Sequence, residues 1–167
     1  MYNITNWLKT DNIHINLKAE SELEAIWNML ELAAKSSDVL DTRELARSIY
    51  ENEVLSGSHS GTTGITFHAL TDAVSNPLMV VGHFKNGIGY YSKEKKPIDI
   101  VVLLAAPERF ASQLEEIIFC INDMLADSIF LENIRKAENP EIIYKCFEEL
   151  CLKLSVKKKS IKSNITE

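Results

Sequence analysis

The chain has 167 residues, 46% of them hydrophobic and 25% charged, with only six Gly and four Pro. That is one domain's length, and the composition excludes disordered, collagen-like and low-complexity chains. The net charge of −6 is unevenly held: the last fifteen residues set five lysines against Glu167, which leaves −10 on the rest, so the body repels nucleic acid. No run approaches the ~18 apolar residues of a membrane span, and the first ten residues lack a basic start and apolar run. A cytoplasmic protein without membrane insertion is expected.

In chain order, Ile13, Ile15 and Leu17 alternate with polar residues and predict a short strand. Ser21 and Glu24 have capping-box spacing, and Leu23, Ile26, Trp27 and Leu30 recur on a helical period, which predicts a helix with Trp27 in the core. Asp41 and Glu44 repeat the start signal for a second helix ending near Leu55. The stretch from Ser56 to Gly64 is nearly all Gly, Ser and Thr and must be a loop.

Ile65–His68 and Leu78–Phe84 read as strands, the second closed by an Asn86-Gly87 turn. The continuous apolar run Ile100–Ala106 suits a strand covered on both faces, so helices are expected on both sides of a sheet. Leu114, Ile117, Ile118, Ile121 and Leu125 mark a periodic helix, and Ser128–Lys136 a shorter one. Asn139-Pro140-Glu141 opens a last helix with Ile143, Cys146, Phe147 and Leu150 inward. Residues 1–152 form the domain, and 153–167 a basic C-terminal tail expected to be disordered. Cys120, Cys146 and Cys151 lie in apolar helical contexts without a CxxC pair and are expected to be reduced.

Backbone N–H groups of a Gly- and Ser-rich loop can cradle an anion. The loop lacks the Gly-Lys-Ser/Thr of a nucleotide P-loop, and no GxGxxG occurs. His14, His59, His68 and His83 show no metal-ligand spacing and no G-x-S-x-G elbow is present, so neither a metal site nor a serine hydrolase is expected. His68 stands apart because it ends an apolar strand just after the loop, where an imidazole nucleophile would sit beside fixed donors.

The order of elements, the segment Gly64-Ile65-Thr66-Phe67-His68, the run from Pro97 to Pro107 and the Glu-Glu-Leu ending at Leu150 resemble the EIIA domains of the bacterial phosphotransferase system. The fructose, mannitol and nitrogen-regulatory branch matches over residues 10 to 152. The resemblance implies a single three-layer α/β domain with a mixed sheet of about five strands flanked by helices on both faces. It implies no cofactor and no metal. In that family a histidine ending a G-I-A-I-P-H segment accepts a phosphoryl group from an HPr-like phosphocarrier and passes it to an EIIB domain or uses it to regulate another protein.

The matching position is most simply His68, with Ser58, His59, Asn52 and Gln113 as candidates for the phosphate site. The segment is one residue shorter than the family's, so anchoring on Gly64 instead places Ala69 at the histidine and His68 at the proline. The family's Arg-Glu pair falls on Asn52-Glu53 and its second histidine on Gln113, so a guanidinium and an imidazole are replaced by neutral amides. Two functions follow from the resemblance: a regulator phosphorylated on a histidine, or an EIIA scaffold that binds protein partners without phosphorylation.

Overall fold

The computed structural model describes residues 4–56, 63–89 and 97–163. After a 3-10 turn at Ile4–Asn6, the elements run β1 (Leu8–Leu17), α1 (Glu22–Ala33), α2 (Thr42–Ser56), β2 (Gly64–Leu70), β3 (Leu78–Phe84) and β4 (Ile100–Ala106). A 3-10 turn at Glu108–Phe110 then leads into α3 (Ala111–Leu125), α4 (Ser128–Lys136) and α5 (Pro140–Ser163).

The sheet has the order β1-β3-β4-β2; β1–β3 and β2–β4 are parallel and β3–β4 antiparallel. These are the four strands read from the residues. The fifth that the resemblance implied is not found among the described residues, where the one further strand-like pairing is an isolated bridge between Val39 and Val74.

Strand alternation sorts the core into two clusters, as a sheet covered on both faces requires. Ile100, Val102, Leu104 and Ala106 of β4 face Leu114, Ile117, Ile121 and Leu125 of α3 and Ile143 and Phe147 of α5. Val101, Leu103 and Ala105 face Ile26, Met29 and Leu30 of α1 and Leu45 and Ile49 of α2. Every residue of β3 and of β4 is buried, which accounts for the unbroken apolar run of β4.

The predicted caps form. The Ser21 hydroxyl accepts from the Glu24 amide at 3.1 Å, although Glu24 reaches back to the Glu20 amide rather than to that of Ser21. Asp41 caps α2, and the Asn139 side chain accepts from the Ile142 amide at 3.0 Å; Asp127, not among the predicted caps, caps α4.

Two expectations are corrected. Trp27 is 55% exposed rather than in the core. The buried stripe of α1 is Ala25, Ile26, Met29, Leu30 and Ala33, so Leu23 and Trp27 form a second stripe one residue round the helix, and Trp27 meets Tyr50 edge-on at 6.5 Å. The basic C-terminal segment is no disordered tail from residue 153 onward: it continues α5 as far as Ser163, since nothing in 153–163 breaks a helix. None of the three cysteines is joined in a disulfide.

Candidate functional site: a carboxylate-rich cleft at the end of β2

β2 and β4 end together, their register running unbroken from Gly64 opposite Ile100 to Leu70 opposite Ala106. Beyond this end lies a cleft. Ser48 and Asn52 of α2 line it with Ala69, Leu70 and Thr71 from the end of β2. Five carboxylates also line it, those of Asp41, Glu44, Glu51, Asp72 and Glu108, against the single guanidinium of Arg47.

That guanidinium is engaged. Arg47 Nε donates to Glu44 at 2.9 Å, one terminal nitrogen donates to Glu51 at 2.7 Å, and the other bonds Glu44 again. These bonds, that to Glu44 foremost, raise the arginine's pKa, and the same contact holds the Glu44 carboxyl below its ordinary value. The cleft thus offers a net negative field with no uncommitted arginine. The hydroxyls of Ser48 and Thr71 are 3.2 Å apart, and Thr71 Oγ1 accepts from the Ala73 amide.

Because β2 has no bulge, neighbouring side chains point to opposite faces. Ile65, Phe67 and Ala69 face α1 and α2. Gly64 faces α3, where an added Cβ would lie 2.7 Å from Leu125. Thr66 and His68 share the Gly64 side, away from the face on which α2 brings Asn52 to the cleft. Asn52 nonetheless reaches His68 through its backbone: the side-chain amide donates to the His68 carbonyl oxygen at 2.7 Å.

The His68 imidazole is half-buried, and burial lowers its pKa while Glu53 opposes the shift, so it is neutral near pH 7. Among the described residues none hydrogen-bonds to the ring. Thr66 Oγ1, two residues earlier on the same face, is buried with no partner among the described residues.

Gln113, in the first turn of α3, lines a neighbouring cleft with Trp7, Lys9, Asp38 and Asn76. Asp38 is the centre of that cleft: Lys9 pairs with it at 3.2 Å, and Asn76 donates to it at 2.9 Å. The Glu108–Phe110 turn divides the two clefts, Glu108 lining one and Phe110 the other. The structure therefore brings Asn52 to the end of β2 but places Gln113 elsewhere, and Ser58 and His59 lie outside the described residues. The carboxylates around Arg47 were missed, although Glu44, Arg47 and Glu51 stand at the i, i+3 and i, i+4 spacings of a helical ion-pair ladder.

The family model for the phosphoenolpyruvate-dependent sugar phosphotransferase system, EIIA 2, matches residues 6–150. The chain belongs to that family. The fructose-specific EIIABC component of Bacillus subtilis (strain 168) is 24% identical over 140 residues, which cover 84% of this chain and 22% of that protein; the chain spans about a fifth of that relative's length.

Nitrogen regulatory protein IIA-Ntr from Neisseria meningitidis superposes with a TM-score of 0.78 at 14% identity, covering 86% of this chain and 98% of that one. Mannitol IIA from Escherichia coli superposes with a TM-score of 0.69 at 19% identity, covering 84% and 98%. The EIIA type-2 fold follows: one mixed sheet between helical layers. Among the described residues no helix is long and apolar enough to cross a membrane.

Proposed function

We propose that this EIIA-type domain is a protein-binding regulatory module of the bacterial cytoplasm, which engages a cationic protein surface at the β2 cleft and does not carry a phosphoryl group. The observation behind this reading is that Ala69, and not His68, lines the cleft. Anchored on Gly64, the family's histidine position is Ala69, and Ala69 is the residue that lines the cleft beside Asn52.

The electrostatics agree. A transferring phosphoryl group needs positive charge or several donors around it, whereas this cleft holds five carboxylates and an arginine already committed to two of them. The same field attracts Lys- and Arg-rich protein surfaces. An HPr-like carrier, an EIIB domain or another regulated protein is the class of partner. A solved complex of mannitol enzyme IIA with phosphorylated enzyme IIB from Escherichia coli, 18% identical to this chain with a TM-score of 0.70, shows that the scaffold docks proteins. A nitrogen-type regulatory role is supported by the likeness to IIA-Ntr and by no finer observation.

One observation favours the other reading, phosphorylation of His68: its imidazole is neutral, half-exposed and free of hydrogen bonds to described residues. There a ring nitrogen would form a P–N bond as the donor phosphohistidine's P–N bond breaks. Neither reading requires a metal or nucleotide.

The test is phosphate incorporation from phosphoenolpyruvate through enzyme I and an HPr-like carrier, on wild type and His68→Ala, with an intact EIIA as positive control. Absence of label on wild type supports the binding module. Acid-labile label on wild type that is missing from His68→Ala overturns it in favour of the phosphocarrier.

A further inference from the structure

The direction of α5 sets two oppositely charged features at one end of the molecule. α5 starts just after α4, whose Arg135 grips Asp99 and Thr63 where β2 and β4 begin. It packs along β1 and reaches the Ile4–Asn6 turn at the opposite, cleft-bearing end of the sheet. Twenty-four residues at 1.5 Å each make a helix of about 36 Å, against about 33 Å for the ten residues of β1 on which it packs. α5 therefore runs the full length of β1, and its last turns lie at the end where the β2 cleft opens.

The segment 153–163 of this helix contains Lys153, Lys157, Lys158, Lys159 and Lys162 and no acidic residue. The cleft carries five carboxylates and one arginine. Each feature also has apolar neighbours in solvent. Leu152 and Val156, 56% and 64% exposed, stand one turn apart on α5, while Leu40 and Leu70 are exposed beside the cleft.

A helix cannot fold back to its own cleft here. α5 packs on the β1 edge of the sheet and on the α3 side, and it stays anchored as far as the buried Ser155. The cleft lies at the β2 edge, three strand spacings away, on the α2 side. A second copy has no such restriction.

We propose that two copies of this chain associate end to end about a two-fold axis, each seating the basic end of α5 in the other's carboxylate-rich cleft. Both features lie at the same end of the molecule, so one two-fold operation satisfies both contacts and the assembly closes as a dimer rather than growing. The dimer covers the cleft assigned above to a protein partner, so self-association and partner capture compete. The proposal does not depend on whether His68 takes phosphate.

The test is the molar mass in solution, by light scattering or sedimentation equilibrium, of three proteins: wild type, a tail-reversed variant (Lys153→Glu, Lys157→Glu, Lys158→Glu) and a cleft-reversed variant (Glu51→Lys, Glu108→Lys). Circular dichroism establishes that each is folded. The expected result is twice the 18.9 kDa chain mass for wild type at low salt, falling to the chain mass at about 0.5 M salt. Each variant alone is expected to be monomeric, and their equimolar mixture to recover the dimer mass.

Wild type monomeric at all salt concentrations overturns the proposal. So does a dimer indifferent to either charge reversal, or a mixture that stays monomeric. None of these outcomes alters the result of the phosphate-incorporation experiment, so the two readings fail separately.

Discussion

Asn52 and His68 are joined side chain to backbone: the amide of the one donates to the carbonyl oxygen of the other at 2.7 Å. Among the described residues β2 is an edge strand, so this carbonyl faces outward from the ladder, and Asn52 supplies the partner that a neighbouring strand would otherwise give. Asn52→Ala is expected to cost about 1 kcal/mol and to lower the melting temperature by about 2–4 °C, read by thermal unfolding. Asn52→Asp, which keeps the shape but loses the donor, is expected to cost at least as much.

Arg135 and Asp99 make a two-pronged ion pair, at 2.5 and 2.9 Å, that fastens α4 to the start of β4. Asp99 is buried and Arg135 about one-third exposed, so the loss is less than for a fully buried pair. Arg135→Ala is expected to destabilise by about 2 kcal/mol, mainly by leaving the carboxylate uncompensated. Urea unfolding should show that adding Asp99→Asn restores part of this loss.

Three histidines predict acid sensitivity. Burial lowers the pKa of His14, His68 and His83; Lys35 adds to the effect at His14, Glu53 opposes it at His68, and Asp99 opposes it at His83. The unfolded chain then binds more protons than the folded one below the ordinary imidazole value of about 6.5. Stability is expected to be full above that value and to fall as pH drops through it, a window well above that of the depressed carboxyls of Asp38 and Glu44. Urea midpoints at pH 7, 6 and 5 measure the slope, and a His68→Gln/His83→Gln variant should flatten it.

The two described tryptophans differ sharply in exposure, Trp7 being buried and Trp27 in solvent. Iodide is expected to quench the Trp27 emission selectively, and Trp27→Ala to cost under about 1 kcal/mol. Phe67→Ala, in the packed face of β2, is expected to cost about 3–5 kcal/mol. Equal losses at the two sites would contradict this assignment.

What could be read from the residues followed the local physics. Ile100–Ala106 is seven apolar residues long, too short for a buried helix and free of the alternation of a one-sided strand, so it announced a strand between two helical layers. Asp41 and Asn139-Pro140 announced the starts of α2 and α5 because caps act within three residues.

The face taken by His68 was not legible. Both sides of β2 are buried over most of its length, so no polar alternation marks which side chains meet α2. Trp27 misled because two apolar stripes on α1 share the same period, and the tertiary packing of Met29 and Ala33 chose between them. The pairing of Arg135 with Asp99, 36 residues apart, left one trace: a carboxylate abutting an apolar strand needs a partner.

The strand order also constrains how the molecule is built. Leu8 pairs with Met79, so β1 waits for about 70 further residues before its ladder partner exists. At 5–20 residues per second of synthesis that is ~4–14 s with one edge of the sheet unformed. Its face waits longer still, since α5, which covers β1, is made last of all the elements. The first strand of this domain to be made is thus among the last of its strands to be enclosed. Its outward Lys9 and Asp11 and the left-handed turn at Asn16 break what would otherwise be a smooth, adhesive edge during that interval.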